Sequence, residues 1–270
     1  MPLVKTADLV TPGTGIAAFN VITLEHAEAI IAGAEAAGRP VICQISENAV
    51  RFHGGRPGPI AAATAAVAQG SSARVALHLD HVMDTGLLYQ AADHGFGSAM
   101  YDGSHHPYEE NVALTAAAAE WAHSRGLWLE AELGEVGGKD GAHAPGVRTD
   151  PDEAVAFVKA TGVDALAVAV GSSHAMTDRT AALDHDLIVR LRDALAVPLV
   201  LHGSSGVPDA ELRRAVANGM VKINIGTALN IAFTGAVREA LGTSVDPRKY
   251  LAPARDAMAE TVRHLLTVIA

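Results

Sequence analysis

Three histidines stand where short apolar runs of this chain end. They occur in Leu77-His78-Leu79-Asp80-His81, in Gly171-Ser172-Ser173-His174 and in Leu201-His202-Gly203-Ser204-Ser205-Gly206. Neutral imidazole is a borderline ligand available at neutral pH, and three of them at separate strand ends can surround one divalent ion. With three protein ligands a fourth position stays open, the pattern of a catalytic zinc rather than a structural one. His81, His174 and His202 are the candidate ligands. A backbone hydrogen bond would explain any one of them alone; the set of three favours a metal. Asp80 adjoins His81, and a carboxylate beside a metal-bound histidine needs a partner rather than a place in the core. Period-2 alternation groups Asp80 with His78, so His78 is expected as interior packing or behind the ligands. Asp102 ends another apolar run, and Glu130 and Glu132 share one face of the next. These carboxylates can orient ligand imidazoles, offer an alternate metal position, or simply be satisfied inside the fold.

Positioning such groups requires several strands that end at one rim. Strand-like runs fall at 16–21, 41–46, 75–80, 98–102, 127–133, 165–171, 199–202 and 221–225. Helical periodicity fills the gaps at 24–37, 60–69, 84–94, 109–125, 152–161, 186–195, 209–218 and 229–241. Eight strands, each followed by a helix, predict an α/β fold of the TIM-barrel type, a (β/α)8 barrel. The rival, an open doubly wound sheet, is weakened in its dinucleotide-binding form because no Gly-x-Gly-x-x-Gly follows the first strand. A further C-terminal helix, about 256–269, is surplus to the eight units and is expected to close the barrel or cross to another subunit. With no repeat, linker or low-complexity stretch, residues 1–270 read as a single domain. The segment 134–151 is glycine-bearing, aperiodic and longer than most loops, which suggests a functional lid on the catalytic face.

Two turns at that face favour backbone N–H exposure. His202-Gly203-Ser204-Ser205-Gly206 follows the seventh strand, and Asn224-Ile225-Gly226-Thr227 follows the eighth. Barrel enzymes often hold phosphate between these loops. Composition removes other classes. The 270 residues carry a formal net charge of −10, no Lys/Arg-rich run and only 4% aromatics, so no nucleic-acid partner is expected. The single cysteine, Cys43, excludes an internal disulfide and is expected to be a buried, inert thiol. The opening stretch has no basic start followed by an apolar run, and no stretch approaches membrane-spanning length. A cytoplasmic protein without a membrane partner is expected.

Taken together these motifs resemble the class II, zinc-dependent ketose-bisphosphate aldolases, the family of the fructose- and tagatose-bisphosphate enzymes. The likeness runs from Ala18-Phe19-Asn20-Val21 through Leu77–His81, Glu130-Ala131-Glu132-Leu133-Gly134, Gly137-Gly138 and the His174 and His202 motifs to Lys222-Ile223-Asn224-Ile225 and Asp246-Pro247-Arg248. The resemblance implies His81, His174 and His202 as ligands of one Zn2+, with Asp102 and Glu132 at an alternate metal position. It also implies Asp80 as the acid/base at the hydroxyl of the bond being broken. Gly203, Ser204, Ser205, Asn224, Ile225, Gly226 and Thr227 would bind dihydroxyacetone phosphate. Asn20 and Ser46 would touch substrate, and Arg248 would hold a second phosphate, in some members from a neighbouring subunit. A monovalent cation and a homodimer or homotetramer complete the expectation. The sequence departs from the pattern where Asp140 stands for the usual lid glutamate, where Ala175 and Met176 follow His174, and at Gly226. These changes bear on substrate identity and not on the metal. A zinc hydrolase and a non-catalytic sugar-phosphate-binding homologue remain as alternatives.

Overall fold

The computed structural model describes residues 3–133, 147–173 and 176–270. Eight parallel strands close into a barrel in chain order. They are β1 (Ile16–Asn20), β2 (Val41–Ser46), β3 (Val75–Val82), β4 (Ser98–Tyr101), β5 (Trp128–Glu132), β6 (Ala165–Ala167), β7 (Leu199–Leu201) and β8 (Met220–Ile225). Closure is direct: Ile16 to Phe19 of β1 pair with Lys222 to Ile225 of β8. Ten helices surround the strands among the described residues. These are α1 (Leu24–Ala37), α2 (Glu47–Phe52), α3 (Pro57–Gln69), α4 (Thr85–Leu88), α5 (Tyr108–Ser124), α6 (Pro151–Thr161), α7 (His185–Ala194), α8 (Asp209–Asn218), α9 (Thr227–Leu241) and α10 (Arg248–Ile269).

The strand alternation divides the side chains. Ala17 and Phe19, Cys43 and Ile45, Leu77 and Leu79, Leu129 and Ala131 join the large apolar layer beneath the helices. Their neighbours turn inward. Ile16, Ala18, Ile42 and Ala76 form one small apolar cluster, and Met100, Ala165, Ala167 and Val200 form another, with Trp128 packed on both. Two residues further along the same alternation the inward side chains become polar: Asn20, Gln44, His78, Glu130, His202. The barrel is thus filled with hydrocarbon towards the amino ends of its strands and with hydrogen-bonding groups towards the carboxyl ends.

Local chemistry sets the element boundaries. The Asp150 carboxylate accepts from the N–H groups of Asp152 and Glu153 at the start of α6, and Asp184 caps α7 through Leu187. Gly38 and Gly162 end α1 and α6 in the left-handed conformation. Three segments differ from the sequence reading. The helix expected over 84–94 is split into α4 and a 3-10 turn at Ala92–His94. The short α2 was not anticipated; Ser46, at the end of β2, starts it by accepting from Ala49 N–H at 3.2 Å. The last helix begins at Arg248, earlier than expected, and carries Pro253 within it. Proline removes one helical hydrogen bond and reads as a boundary, but here the helix runs through it.

This surplus helix packs on its own barrel, against α1, α8, α9 and β1. Gly33 permits the close approach to α1, because a Cβ there would lie 2.6 Å from the Ala259 carbonyl oxygen. None of the described helices is long and apolar enough to cross a membrane. Cys43 is fully buried in β2, and burial pushes its thiol up to about 12. The native protein should therefore be inert to a disulfide exchange reagent at pH 8, and one thiol per chain should react after denaturation; fast reaction of the folded protein would contradict this placement.

Candidate active site

A cavity of about 550 Å³ opens where the strands end. Its wall takes Asn20 from β1, Gln44 and Ser46 from β2, Asp80 and His81 from β3, Asp102 after β4 and Glu132 from β5. Ser173 from the segment after β6, His202 directly after β7 and Asn224 in β8 complete it. Regular alternation would send Asp80 and His81 to opposite faces of β3, yet both line the cavity. His81 is the cause. Its φ of 48° is the only positive value at a non-glycine residue among those described, and the β3–β4 register slips between Leu79 and Val82. A bulge of this kind re-aims a side chain at a cost of roughly 1–3 kcal/mol.

The two described imidazoles face each other. His81 Nε2 lies 2.8 Å from His202 Nδ1, with the rings perpendicular. Two ring nitrogens at that distance need a shared proton or a cation between them. The remaining ring nitrogens are each tied to a carboxylate: His81 Nδ1 to Asp102 Oδ2 at 3.0 Å and His202 Nε2 to Glu130 Oε1 at 2.8 Å. Carboxylates behind imidazoles fix the tautomer so that the facing nitrogens can serve as ligands. Asp80, His81 and His202 offer ligand atoms within 4.8 Å of one another, and so do His81, Asp102 and Glu132. The donor set fits a divalent metal ion.

Electrostatics follow from the same contacts. Burial lowers the His81 imidazole, but Asp80, the hydrogen bond to Asp102, and Glu132 outweigh it and raise the group to about 10. Burial would raise Asp102; the His81 contact and the Ser104 hydroxyl and N–H instead hold it well below the carboxylate range. His78 is fully buried, with Nδ1 2.8 Å from the Ser98 hydroxyl, and burial beside Lys222 and His81 keeps it neutral. It packs in the interior, as the alternation implied.

Asp80 is surrounded by amides. Asn20 Nδ2 and Gln44 Nε2 each approach Oδ2 at 3.4 Å, and Asn224 Nδ2 approaches Oδ1 at 3.5 Å, so its oxygens are presented as acceptors. Gln44 also donates to Asn20 Oδ1 at 2.9 Å. Gly226 now has a physical reason. A Cβ there would come within 2.9 Å of Asn20 Oδ1, disturbing an amide that holds Asp80.

The loops after β6, β7 and β8 are stitched together. Ser172 Oγ donates to the His202 carbonyl at 2.6 Å, and the Ser204 hydroxyl donates to the Asn224 carbonyl. Gly203, at φ 66°, sits so near Ser173 that a Cβ would meet its carbonyl at 2.6 Å. Ser205 Oγ accepts from Ala228 N–H in the first turn of α9, leaving its own O–H to donate. Gly203, Ser204, Ser205, Gly226 and Thr227 all line the cavity. Ile225 does not: its side chain belongs to the apolar core, so only its backbone is available. Arg248 is also outside the lining, its side chain 89% exposed and paired with Asp246 at 2.9 Å. Asp140 and His174 lie outside the described residues. Sequence reasoning missed Gln44, Glu47, Asn48, Arg51 and Ser104 on the wall. A glutamine inside the apolar run of β2 was the readable signal for the first.

Behind the wall Lys222 and Glu130 form a fully buried pair at 2.8 Å, and Lys222 also donates to Asn224 Oδ1 at 2.7 Å. Lys222 is thus a structural cation inside the barrel.

A parallel barrel whose mouth gathers facing imidazoles, carboxylates and glycine-bearing turns carries the donor set of a metal site at the face where barrel enzymes build their active sites. Residues 6–270 match the model described as fructose-bisphosphate aldolase class-II, and the chain belongs to that family. It is 43% identical over 250 residues to the fructose-bisphosphate aldolase of Geobacillus stearothermophilus, covering 90% of this chain and 87% of that one. The fructose-bisphosphate aldolase of Staphylococcus epidermidis is 38% identical over 273 residues, covering 97% and 96%. In structure the chain resembles the YdjI aldolase from Escherichia coli K12, with a TM-score of 0.84, 34% identity and coverage of 96% and 92%. The chain is an aldolase, a carbon–carbon lyase.

Replacing Lys222 by Met would leave Glu130 buried without its cation. The expected loss of stability is about 3 kcal/mol, read from the denaturant midpoint, and an unchanged midpoint would show that the pair is dispensable.

Proposed function

We propose that the chain cleaves and forms a ketose bisphosphate, fructose 1,6-bisphosphate or its tagatose epimer, giving dihydroxyacetone phosphate and an aldehyde, with zinc as the ion. The observation that carries this reading is the facing pair His81 and His202, each backed by a carboxylate, with Asp80 beside them. His174 is the proposed third ligand, and Asp102 with Glu132 the alternate position. Bound there, zinc supplies Lewis acidity towards the ketone and adjacent hydroxyl.

The chain's own residues supply the rest. Gly203, Ser204, Ser205, Asn224, Ile225, Gly226 and Thr227 hold the phosphate end, through backbone N–H groups, hydroxyls and the start of α9. Asn20 and Ser46 contact the sugar. Asp80, oriented by three amides, takes the proton of the C4 hydroxyl as the C3–C4 bond breaks and C4 becomes the aldehyde carbon. C3 keeps the electron pair of that bond and takes up a proton, which we assign to Asp140. Arg248 could reach a substrate only in a neighbouring subunit of a homodimer or homotetramer. Partly exposed Ile231 and Leu241 on α9 support such an assembly. The expected compartment is the cytoplasm.

Cleavage of fructose and tagatose bisphosphates by zinc-loaded protein tests this directly. One of them should be cleaved, with activity lost on chelation and restored by zinc. Asp80→Ala should lower kcat by about 10²- to 10⁴-fold. No turnover of either by the loaded protein would redirect the search to other phosphorylated ketoses and then to a binding role.

A further inference from the structure

The cradle after β7 and β8 accounts for one anionic end of a ketose bisphosphate, and within a single chain no residue named so far accounts for the other. Arg248, implied by the resemblance, stands away from the cavity of its own chain. The wall itself is acidic, with Glu47, Asp80, Asp102 and Glu132 all on it. Lys222, the cation nearest to these groups in the interior, is fully buried and committed to Glu130 and Asn224. Among the described residues, one lysine or arginine side chain lines the cavity, and it is Arg51.

Arg51 is held in place from behind. It lies on α2, which starts directly from the end of β2. One guanidinium nitrogen pairs with Glu47 Oε1. Glu47 is only 5% exposed, and its other oxygen accepts from the backbone N–H groups of Met83 at 2.7 Å and Asp84 at 3.1 Å. The carboxylate is therefore pinned to the segment that follows His81, and it pins the guanidinium in turn. Arginine has five N–H donors, so several remain for an anion after the Glu47 contact is made. The Arg51 side chain is 57% exposed, open to an incoming ligand. A surface ion pair within a helix would need neither a buried acid nor two backbone donors behind it.

We propose that Arg51 is the specificity residue for the anionic group, phosphate or carboxylate, at the end of the ketose released as the aldehyde. The assignment rests on the aldolase reading above. It accounts for how a cavity walled by Glu47, Asp80, Asp102 and Glu132 takes a second negative charge: a fixed guanidinium offers a charge-assisted fork among those acids.

The test runs the reaction in the condensing direction with zinc-loaded full-length protein and dihydroxyacetone phosphate. Three acceptors are compared: glyceraldehyde 3-phosphate, succinic semialdehyde and uncharged glyceraldehyde. Wild type should favour one of the charged acceptors, and which one identifies the anion. In Arg51→Met the ratio of kcat/KM for that acceptor over glyceraldehyde should fall by roughly ten- to a hundredfold, mainly through KM. Arg51→Lys, a point charge without the fork, should keep part of the preference. No preference in wild type, or an equal loss on charged and neutral acceptors in Arg51→Met, would overturn the assignment. If wild type condenses none of the three, the aldolase reading falls separately, and Arg51 is then judged by calorimetric titration with inorganic phosphate alone. Loss of one phosphate site in Arg51→Met supports the assignment there, and unchanged stoichiometry overturns it.

Discussion

A carboxylate with no exposure to water sits at the centre of this barrel, and the site above it depends on how that charge is satisfied. Glu130 bridges Lys222 of β8 and His202 at the end of β7. Burial pushes its carboxyl up and Lys222 pulls it back, so the charge is tolerable only while the lysine is in contact. Lys222 in turn fixes the Asn224 amide, which turns its N–H towards Asp80. A single ion pair thereby sets one imidazole and one face of the Asp80 carboxylate. Such a pair contributes little net stability compared with hydrocarbon of the same volume, and its value here is geometric.

The second constraint is the bend at His81. A regular β3 would offer the cavity either the aspartate or the following histidine. Forcing a histidine into the left-handed region, with a slip in the β3–β4 ladder, brings both to the same side. The strain is local and is held by contacts on either flank: Asp102 bonds the ring, and Asp102 N–H takes the Val82 carbonyl at 2.8 Å. Strain retained at such a place is expected where adjacent residues must act on one substrate.

The order of strands and helices was legible because parallel barrels write each unit in the same way, a short apolar run and then an amphipathic helix. Leu24–Ala37 and Asp209–Asn218 were readable to the residue, since caps and glycines mark their ends. The site was legible in its types, and less so in its geometry. Alternation assigned His78 and Asp80 to one side correctly, but no local pattern announces the bulge that adds His81. Ile225 was grouped with its neighbours by motif, whereas its side chain follows the pleat into the core. The α2 wall went unread because six residues are too few to show helical periodicity, so Glu47 and Arg51 looked like an ordinary charged stretch. Pro253 concealed the start of α10 in the same way, by giving a local stop signal that packing on α1 overrides.

The negative net charge does not oppose the proposed sugar-phosphate substrate, and the dimensions say why. At physiological ionic strength charges beyond about 8–10 Å are screened, so the formal charge of −10 spread over the surface contributes little inside the cavity. What a phosphate would meet there is local: the turns after β7 and β8, the serine and threonine hydroxyls, and one guanidinium. The carboxylates on the wall are not free negative charge either. Asp102 is occupied by His81 and Ser104, and Glu47 by Arg51 and two backbone donors. Asp80 is met by amides at 3.4–3.5 Å, contacts longer than those that hold Asp102 and Glu47. For the proton transfer proposed at Asp80, such long contacts matter, because an amide can give way there to a substrate hydroxyl while the shorter bonds of Asp102 and Glu47 stay in place.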